Sequence, residues 1–232
     1  MRRIVSAFGL VFLTAASAGA ELRVGVAKAD VTPPPGVRMY GYGARGENVS
    51  TGVHDPLYAK AIVMSDGERT VAWVSMDLGY ADTPLTRDIR AAVQSALGFD
   101  DVFLTSSHTH SGPNFVADFP STSSPWVQEL RSKVTAAIVE AHGDLRPARL
   151  GVGWGQVDQG HNRRRVSADG SVEMRWENRQ GVPTSPVDKT VGVIAFDTPG
   201  GDPIATMVNL AIHPVVLGPE NLEYSADYPG AM

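Results

Sequence analysis

Two histidines separated by one residue follow an apolar run in residues 101–113. In the segment DVFLTSSHTHSGP, His108 and His110 come directly after a strand-like stretch that Gly112 and Pro113 end. Side chains at positions i and i+2 of an extended chain point to the same side. Both imidazoles are therefore expected to face one space at the carboxyl end of a strand, where two neutral ring nitrogens suit zinc. The short motif by itself also fits two polar residues that leave a strand.

A third histidine ends a second apolar run. In TMVNLAIHPVVLGP, residues 206–219, His213 precedes Pro214, which stops a strand. A lone histidine at a strand end is usually a hydrogen-bonded structural residue. Two buried strands that each end in an imidazole are, however, how metallohydrolases assemble ligands around one cleft. The chain contains no cysteine, so imidazole, carboxylate or phenolate groups must supply any metal ligands.

Asp77 and Arg163 are further candidates near this chemistry. Asp77 ends a strong strand and could orient a ligand histidine, because a metal-bound imidazole commonly donates its other nitrogen to a carboxylate. A turn-capping aspartate is an equally good interpretation. Arg163 opens a run of three arginines that could form an anion patch, although such runs are mostly solvated faces.

The elements that must position these residues are short β-branched runs and two amphipathic helices. The predicted strands are Leu22–Val26, Tyr58–Met64, Thr70–Met76, Asp101–Thr105, Arg149–Gly153, Thr190–Phe196 and Ile204–Ile212. The predicted helices start at Thr83-Pro84, ending at Gly98, and at Ser124-Pro125, ending at Gly143. The strand–helix–strand order from Thr70 to Thr105 predicts a parallel pair, and two hairpin turns require antiparallel pairs. We therefore expect an α/β fold with a mixed parallel and antiparallel sheet and flanking helices.

The composition and the first twenty residues narrow the class of protein to which the chain can belong. Of 232 residues, 43% are hydrophobic, and the formal charge of −5 is spread along the chain, which argues against nucleic-acid binding. Residues 1–20 carry two arginines, an apolar stretch and an Ala18-Gly19-Ala20 cleavage pattern, as in an export signal. We expect a periplasmic or extracellular protein whose residues 21–232 form one sizeable domain or part of a larger one. An uncleaved anchor is the alternative.

Several segments resemble motifs of the neutral (alkaline, non-lysosomal) ceramidase family, both in their order along the chain and in their residue patterns. The matching segments are Gly25–Pro34 followed by Gly41-Tyr42, Gly52–Ala61, Val74–Gly79, Ser107–Asn114, Asn162-Arg163 and Asn209–Pro214. Of these, His-Thr-His-Ser-Gly-Pro is far more specific than a bare H-x-H. The likeness covers essentially the whole chain after residue 20.

The resemblance implies residue roles. It makes His108 and His213 zinc ligands, His110 a residue that positions the substrate or its oxyanion, and Arg163 a lining residue of the same pocket. It also implies a glutamate and a tyrosine ligand and an active-site serine further along a longer chain. We therefore expect Met232 to end an incomplete catalytic domain that binds zinc weakly and is inactive alone.

The activity implied by the resemblance is zinc-dependent hydrolysis of an N-acyl amide, by analogy ceramide to fatty acid and sphingosine. Bound zinc would polarise the amide carbonyl and activate water. The turn-rich loop Thr32–Gly46, with Met39, Tyr40 and Tyr42, is a candidate wall for the acyl chain. The expected partners are a lipid-like N-acyl amide and, peripherally, a membrane; the oligomeric state is not predicted. The alternatives are an exported metal- or lipid-binding protein without catalysis and a zinc amidohydrolase with another substrate class.

Overall fold

Contacts between residues divide the chain into two units, and each has a sheet of its own. The computed structural model describes residues 11–12, 21–114, 124–182, 184 and 186–232. The first unit holds Val11 and Phe12, the segment Leu150–Ala195 and the segment Thr206–His213. The second unit holds the described residues of 21–149, with Phe196–Ala205 and Pro214–Met232.

The described residues contain thirteen strands and three α-helices. The strands are β1 (Val11–Phe12), β2 (Arg23–Asp30), β3 (Gly52–Val53), β4 (Tyr58–Ser65), β5 (Thr70–Met76), β6 (Asp101–Ser106), β7 (Arg146–Pro147), β8 (Arg149–Gln156), β9 (Arg164–Val166), β10 (Val172–Met174), β11 (Thr190–Asp197), β12 (Pro203–Leu210) and β13 (Glu223–Tyr224). The helices are α1 (Thr83–Leu97), α2 (Pro125–Gly143) and α3 (Asp227–Ala231). All seven predicted strands and both predicted helices are present, with ends that differ by a few residues.

The second unit is built on a five-stranded mixed sheet in the order β6-β5-β4-β2-β7. Strand β5 pairs parallel with β6, which confirms the pair predicted from the strand–helix–strand order. Strands β4 and β5 form the predicted antiparallel hairpin. A separate short pair joins β13 to β3 in parallel, so the last described segment returns to residues 52–53.

The two long helices pack on this sheet with the apolar faces that the sequence predicted. Leu85, Ile89 and Val93 of α1 are buried, and so is the corresponding stripe of α2. Asp82 caps α1, because its carboxylate accepts a hydrogen bond from the Leu85 N–H. Gly98 ends that helix in the left-handed conformation. The fold is the expected mixed α/β type.

The first unit contains a four-stranded sheet in the order β1-β8-β11-β12 and a separate hairpin of β9 and β10. The hairpin was not predicted, because three exposed residues per strand produce little alternation of apolar and polar residues. Val11 and Phe12 pair with Val152 and Gly151. The remainder of the predicted export signal, residues 1–10 and 13–20, lies outside the described residues.

The loop Thr32–Gly46 is irregular, as its composition predicted. A single 3-10 turn spans Gly43–Arg45, and isolated bridges join Arg38 to Val49 and Met39 to Pro113. Within the described ranges, no helix combines the length and apolarity needed to cross a membrane.

Candidate metal and active site

His108 is held in an unusual backbone conformation just beyond the end of β6. Its φ of 68° lies in the left-handed region, which is uncommon for a residue with a side chain. The N–H of Ser107 donates to Met76 O at 2.9 Å, and the N–H of His108 donates to Leu78 O at 3.0 Å. Main-chain hydrogen bonds to the neighbouring strand end therefore fix this geometry. The strand has ended before His108, so the predicted i, i+2 alternation does not operate here.

The ring of His108 is oriented by a main-chain carbonyl. Its Nδ1 lies 2.7 Å from Gly79 O. A carbonyl oxygen only accepts, so Nδ1 carries the proton, and the lone pair of the neutral ring is on Nε2. A metal-ligating histidine usually donates the N–H of one ring nitrogen to an acceptor and binds the metal through the other nitrogen. His108 has this arrangement.

Asp77 does not make the hydrogen bond to a ligand histidine that its position suggested. The side chain is only 2% exposed and accepts from the Tyr58 N–H at 3.0 Å and from Lys60 Nζ at 2.9 Å. Burial raises the pKa of Asp77, although the nearby ammonium of Lys60 opposes the rise. Asp77 thus anchors the end of β5, and the carbonyl of Gly79, two residues later, orients His108.

His110 is buried in a cluster of aromatic rings. Its ring centroid lies 5.4 Å from that of Tyr40, 4.9 Å from that of Tyr42 and 5.2 Å from that of His108. A Cβ added to Gly41 would stand 2.3 Å from the His110 ring, and Gly41 also has a φ of 99°, so this close approach requires glycine. The structure therefore brings His108 and His110 together, with the loop tyrosines against them.

Arg45 is a buried cation that sequence reasoning missed. Its guanidinium group, in a residue only 4% exposed, donates to main-chain carbonyls of Tyr40, His110, Gly218, Pro219 and Asn221. Burial lowers the pKa of Arg45. The residue joins the loop before β3 to His110 and to residues 218–221, which follow Pro214. A single arginine in a turn-rich loop has no distinctive spacing, so no sequence signal marks it.

The backbone of the segment after His213 is attached to His110. The His110 N–H donates to Pro214 O at 3.3 Å. Pro214 follows His213 directly in the sequence.

Arg163 and His213, both predicted site residues, contact each other in the first unit. Arg163 Nη2 lies 3.1 Å from His213 Nδ1. The guanidinium carbon also lies 5.3 Å from the ring centroid of Trp176, whose side chain is mostly exposed.

A second network fixes the segment that contains α3. Asp55 accepts from the Ser225 hydroxyl and from the Ala226 N–H at 2.8 Å, and its other neighbour is His54 Nδ1 at 2.8 Å. Burial alone would raise the pKa of Asp55, but these hydrogen bonds hold it below its ordinary value. Asp227, with a φ of 58°, accepts from the Val216 N–H at 3.0 Å. His54 is thus part of a structural network.

Comparison with known proteins supports the resemblance read from the motifs. Residues 22–232 match the family model described as neutral/alkaline non-lysosomal ceramidase, N-terminal. Neutral ceramidase from Oryza sativa is 28% identical over 90% of this chain and 28% of its own length. Neutral ceramidase from Drosophila pseudoobscura is 37% identical over 41% of this chain and 14% of its own length.

The fold also has a solved counterpart. The crystal structure of neutral ceramidase from Pseudomonas aeruginosa superposes with a TM-score of 0.75 at 22% identity, covering 91% of this chain and 35% of that one. At this identity the match shows a shared fold. The chain spans about a third or less of the length of these relatives. Because the family model matches nearly the whole chain after residue 21, the chain belongs to the neutral/alkaline non-lysosomal ceramidase family.

Proposed function

We propose that the protein to which this chain belongs hydrolyses the amide bond of a ceramide-like N-acyl lipid with the help of bound zinc. Family membership supports the reaction class. The observation that supports a bound metal is a group of three histidines, His108, His110 and His213. Each offers one ring nitrogen, and together these nitrogens could hold a metal ion. In this proposal His108 and His213 are the ligands, and His110 serves the substrate.

The donor chemistry of these residues fits zinc. Imidazole nitrogens are common zinc ligands, and the chain has no thiol that could replace them. The tautomer of His108, with its Nδ1 proton given to Gly79 O, leaves Nε2 as the ligating atom. Two imidazoles do not complete a catalytic zinc site, so the glutamate and tyrosine ligands that the resemblance implies further along a longer chain are part of the proposal.

The residues divide the work of amide hydrolysis between them. Bound zinc would supply Lewis acidity at the amide carbonyl and an activated water. His110 and Arg163 would hold the negative charge that develops on the carbonyl oxygen. The tight packing of His110 against Tyr40 and Tyr42 keeps its ring in place, and a preorganised donor costs no reorganisation during the reaction.

The substrate class comes from the relatives. Those relatives are named neutral ceramidases, so the proposed products are a fatty acid and sphingosine. We also propose that residues 1–20 direct export to the periplasm or the medium, where the protein meets its lipid at a membrane surface. Activity is assigned to the longer protein, and residues 21–232 alone are expected to be inactive.

Metal analysis combined with turnover of a fluorescent N-acyl-sphingosine tests the proposal on the full-length protein. His108→Ala and His213→Ala are each expected to lower zinc content and to abolish turnover, and chelation should do the same. His142→Ala is a matched control, because His142 packs on Phe99 at the end of α2. Unchanged turnover in zinc-stripped protein would refute the proposal.

A further inference from the structure

The side chain of Arg163 is held at its tip by two rings and, among the described residues, has no acidic partner. Nη2 lies 3.1 Å from His213 Nδ1, and the guanidinium carbon lies 5.3 Å from the Trp176 ring centroid. No ion pair to a carboxylate involves Arg163 in the part of the chain that the structure describes. The planar fork of a guanidinium matches a carboxylate, so its pairing with a neutral ring nitrogen requires an explanation.

The direction of the hydrogen bond between Arg163 and His213 is fixed by chemistry. A guanidinium has donors and no acceptor, so His213 Nδ1 must accept. In the neutral ring the proton then resides on Nε2, and the single available lone pair is the one that points at Arg163. A metal ion binds imidazole through that same lone pair. Arg163 and a metal ion therefore compete for the one lone pair of the neutral His213 ring, because the tautomer that offers Nε2 to the ion turns an Nδ1–H toward the guanidinium.

The contrast with His108 sharpens this interpretation. His108 donates its Nδ1 proton to Gly79 O. The lone pair of the ring therefore lies on Nε2, which the Gly79 carbonyl does not contact. At His213 the partner is a donor and takes the acceptor nitrogen itself. One histidine is thus arranged to support a metal bond, and the other is arranged in a way that opposes it.

The backbone around Arg163 is fixed, so only the side chain needs to move. The carbonyl of Arg163 accepts from the Arg175 N–H at 2.7 Å. The adjacent Asn162 donates its N–H to Thr184 Oγ1 at 2.8 Å and its side-chain amide to Pro186 O at 3.0 Å. Rotation about the side-chain bonds releases His213 without breaking these contacts. The exposed face of Trp176 offers the guanidinium a second favourable contact through a cation–π interaction.

We propose that Arg163 holds the lone pair of the neutral His213 ring in the metal-free protein and is displaced from the ring when a divalent ion binds. The proposal rests on the proposed role of His213 as a ligand. A positive charge beside a dication also repels it, so the displaced guanidinium has an electrostatic reason to move away. Once displaced, the guanidinium of Arg163 is available to donate to the carbonyl oxygen of the substrate. One side chain would then bind His213 before the metal arrives and the substrate afterwards.

The two possible functions of Arg163 predict opposite changes in zinc affinity. A partner that supports a ligand weakens metal binding by about 10–100-fold when it is removed. A competitor instead tightens binding when it is removed, and we expect Arg163→Leu to lower the zinc dissociation constant by about tenfold or more. Arg164→Leu is the matched control, because this substitution removes the same charge from an exposed neighbouring position. We expect that control to leave the dissociation constant unchanged.

The measurement is zinc affinity of the full-length protein by competition with a chelating indicator. His213→Ala serves as the reference for loss of the ligand. If His213→Ala does not weaken zinc binding, the proposed metal site is wrong. If His213→Ala weakens it but Arg163→Leu leaves it equal or weaker, the metal site stands and the competition is overturned.

A second measurement does not depend on the folding of any variant. Long-range proton–nitrogen correlation spectra of the metal-free wild-type protein report which nitrogen of each imidazole carries the proton. We expect His213 to carry its proton on Nε2 before zinc is added. A proton on Nδ1 would exclude the hydrogen bond from Arg163 and overturn the proposal.

Discussion

At the scale of single residues, the pair of Asp77 and Lys60 links the end of β5 to β4. The carboxylate is almost fully buried, whereas the lysine side chain is 45% exposed. Because burial raises the pKa of Asp77, the folded protein holds a proton there more readily than the unfolded chain. The stability that this group contributes is therefore complete at low pH and is lost as the pH rises through its folded-state pKa.

Lys60→Met is expected to make this loss larger. Without the ammonium, the pKa of Asp77 rises further and an uncompensated carboxylate remains buried above it. Urea unfolding should show a small destabilisation near pH 4, increasing to about 1–3 kcal/mol near neutral pH. Lys189→Met is the control, since its partner Asp158 is 71% exposed and such surface pairs contribute little at any pH. An equal destabilisation at both pH values would contradict the role of Asp77.

At the scale of elements, Gly25 allows β2 to lie against the end of α2. A Cβ at this position would stand 1.9 Å from the main-chain oxygen of Ala141, and backbone cannot yield as a flexible side chain does. Gly25→Ala is expected to destabilise the protein by about 1–3 kcal/mol or more through overpacking. That loss corresponds to a fall in melting temperature of about 2–4 °C per kcal/mol.

Gly143→Ala provides the comparison for Gly25. Nothing lies within 4 Å of a Cβ at Gly143, and this residue ends α2. We expect its melting temperature to stay within a degree or two of the wild type, since alanine is no worse than glycine in a helix. A similar fall in both variants would show that the contact between β2 and α2 is not the cause.

Arg45 holds together elements that are far apart in sequence. Replacement of a fully bonded, buried guanidinium by an apolar side chain leaves several buried carbonyls without donors, each at a cost of about 1–3 kcal/mol. We expect Arg45→Met to lower the free energy of unfolding by at least about 3 kcal/mol in denaturant titrations. Arg45→Lys should recover only part, because an ammonium has three donors on one atom. Full recovery by lysine would mean that the fork-shaped geometry is unimportant.

The elements were largely predictable from sequence, and the contacts around the site were not. Strands β4, β5 and β6 and helices α1 and α2 have strong periodicity, and the connection through α1 determined the parallel pair. The two histidine motifs were identified because each follows an apolar strand. The left-handed turn at His108, the Gly79 carbonyl and the buried Arg45 depend on main-chain hydrogen bonds between distant segments, which side-chain patterns do not encode.

At the scale of the whole molecule, binding of zinc by histidines should couple to folding. A ligand that binds the native state adds about 2.7 kcal/mol of stability when its concentration is 100 times its dissociation constant. We expect zinc to raise the melting temperature of the full-length protein in a concentration-dependent way, and His213→Ala to reduce the rise. Magnesium is the control, because it prefers oxygen ligands. A rise of equal size with magnesium would contradict an imidazole site.

The hydrogen bond from His108 to the Gly79 carbonyl has a consequence for the robustness of the site. A main-chain oxygen has no side chain that a substitution could delete, and it does not ionise at any pH at which the protein is folded. The tautomer of the neutral His108 ring is therefore set by an acceptor whose charge never changes, unlike that of a ring oriented by a carboxylate. The point of vulnerability is the α-carbon of Gly79, where a methyl group would meet the ring of Tyr40 at 2.2 Å.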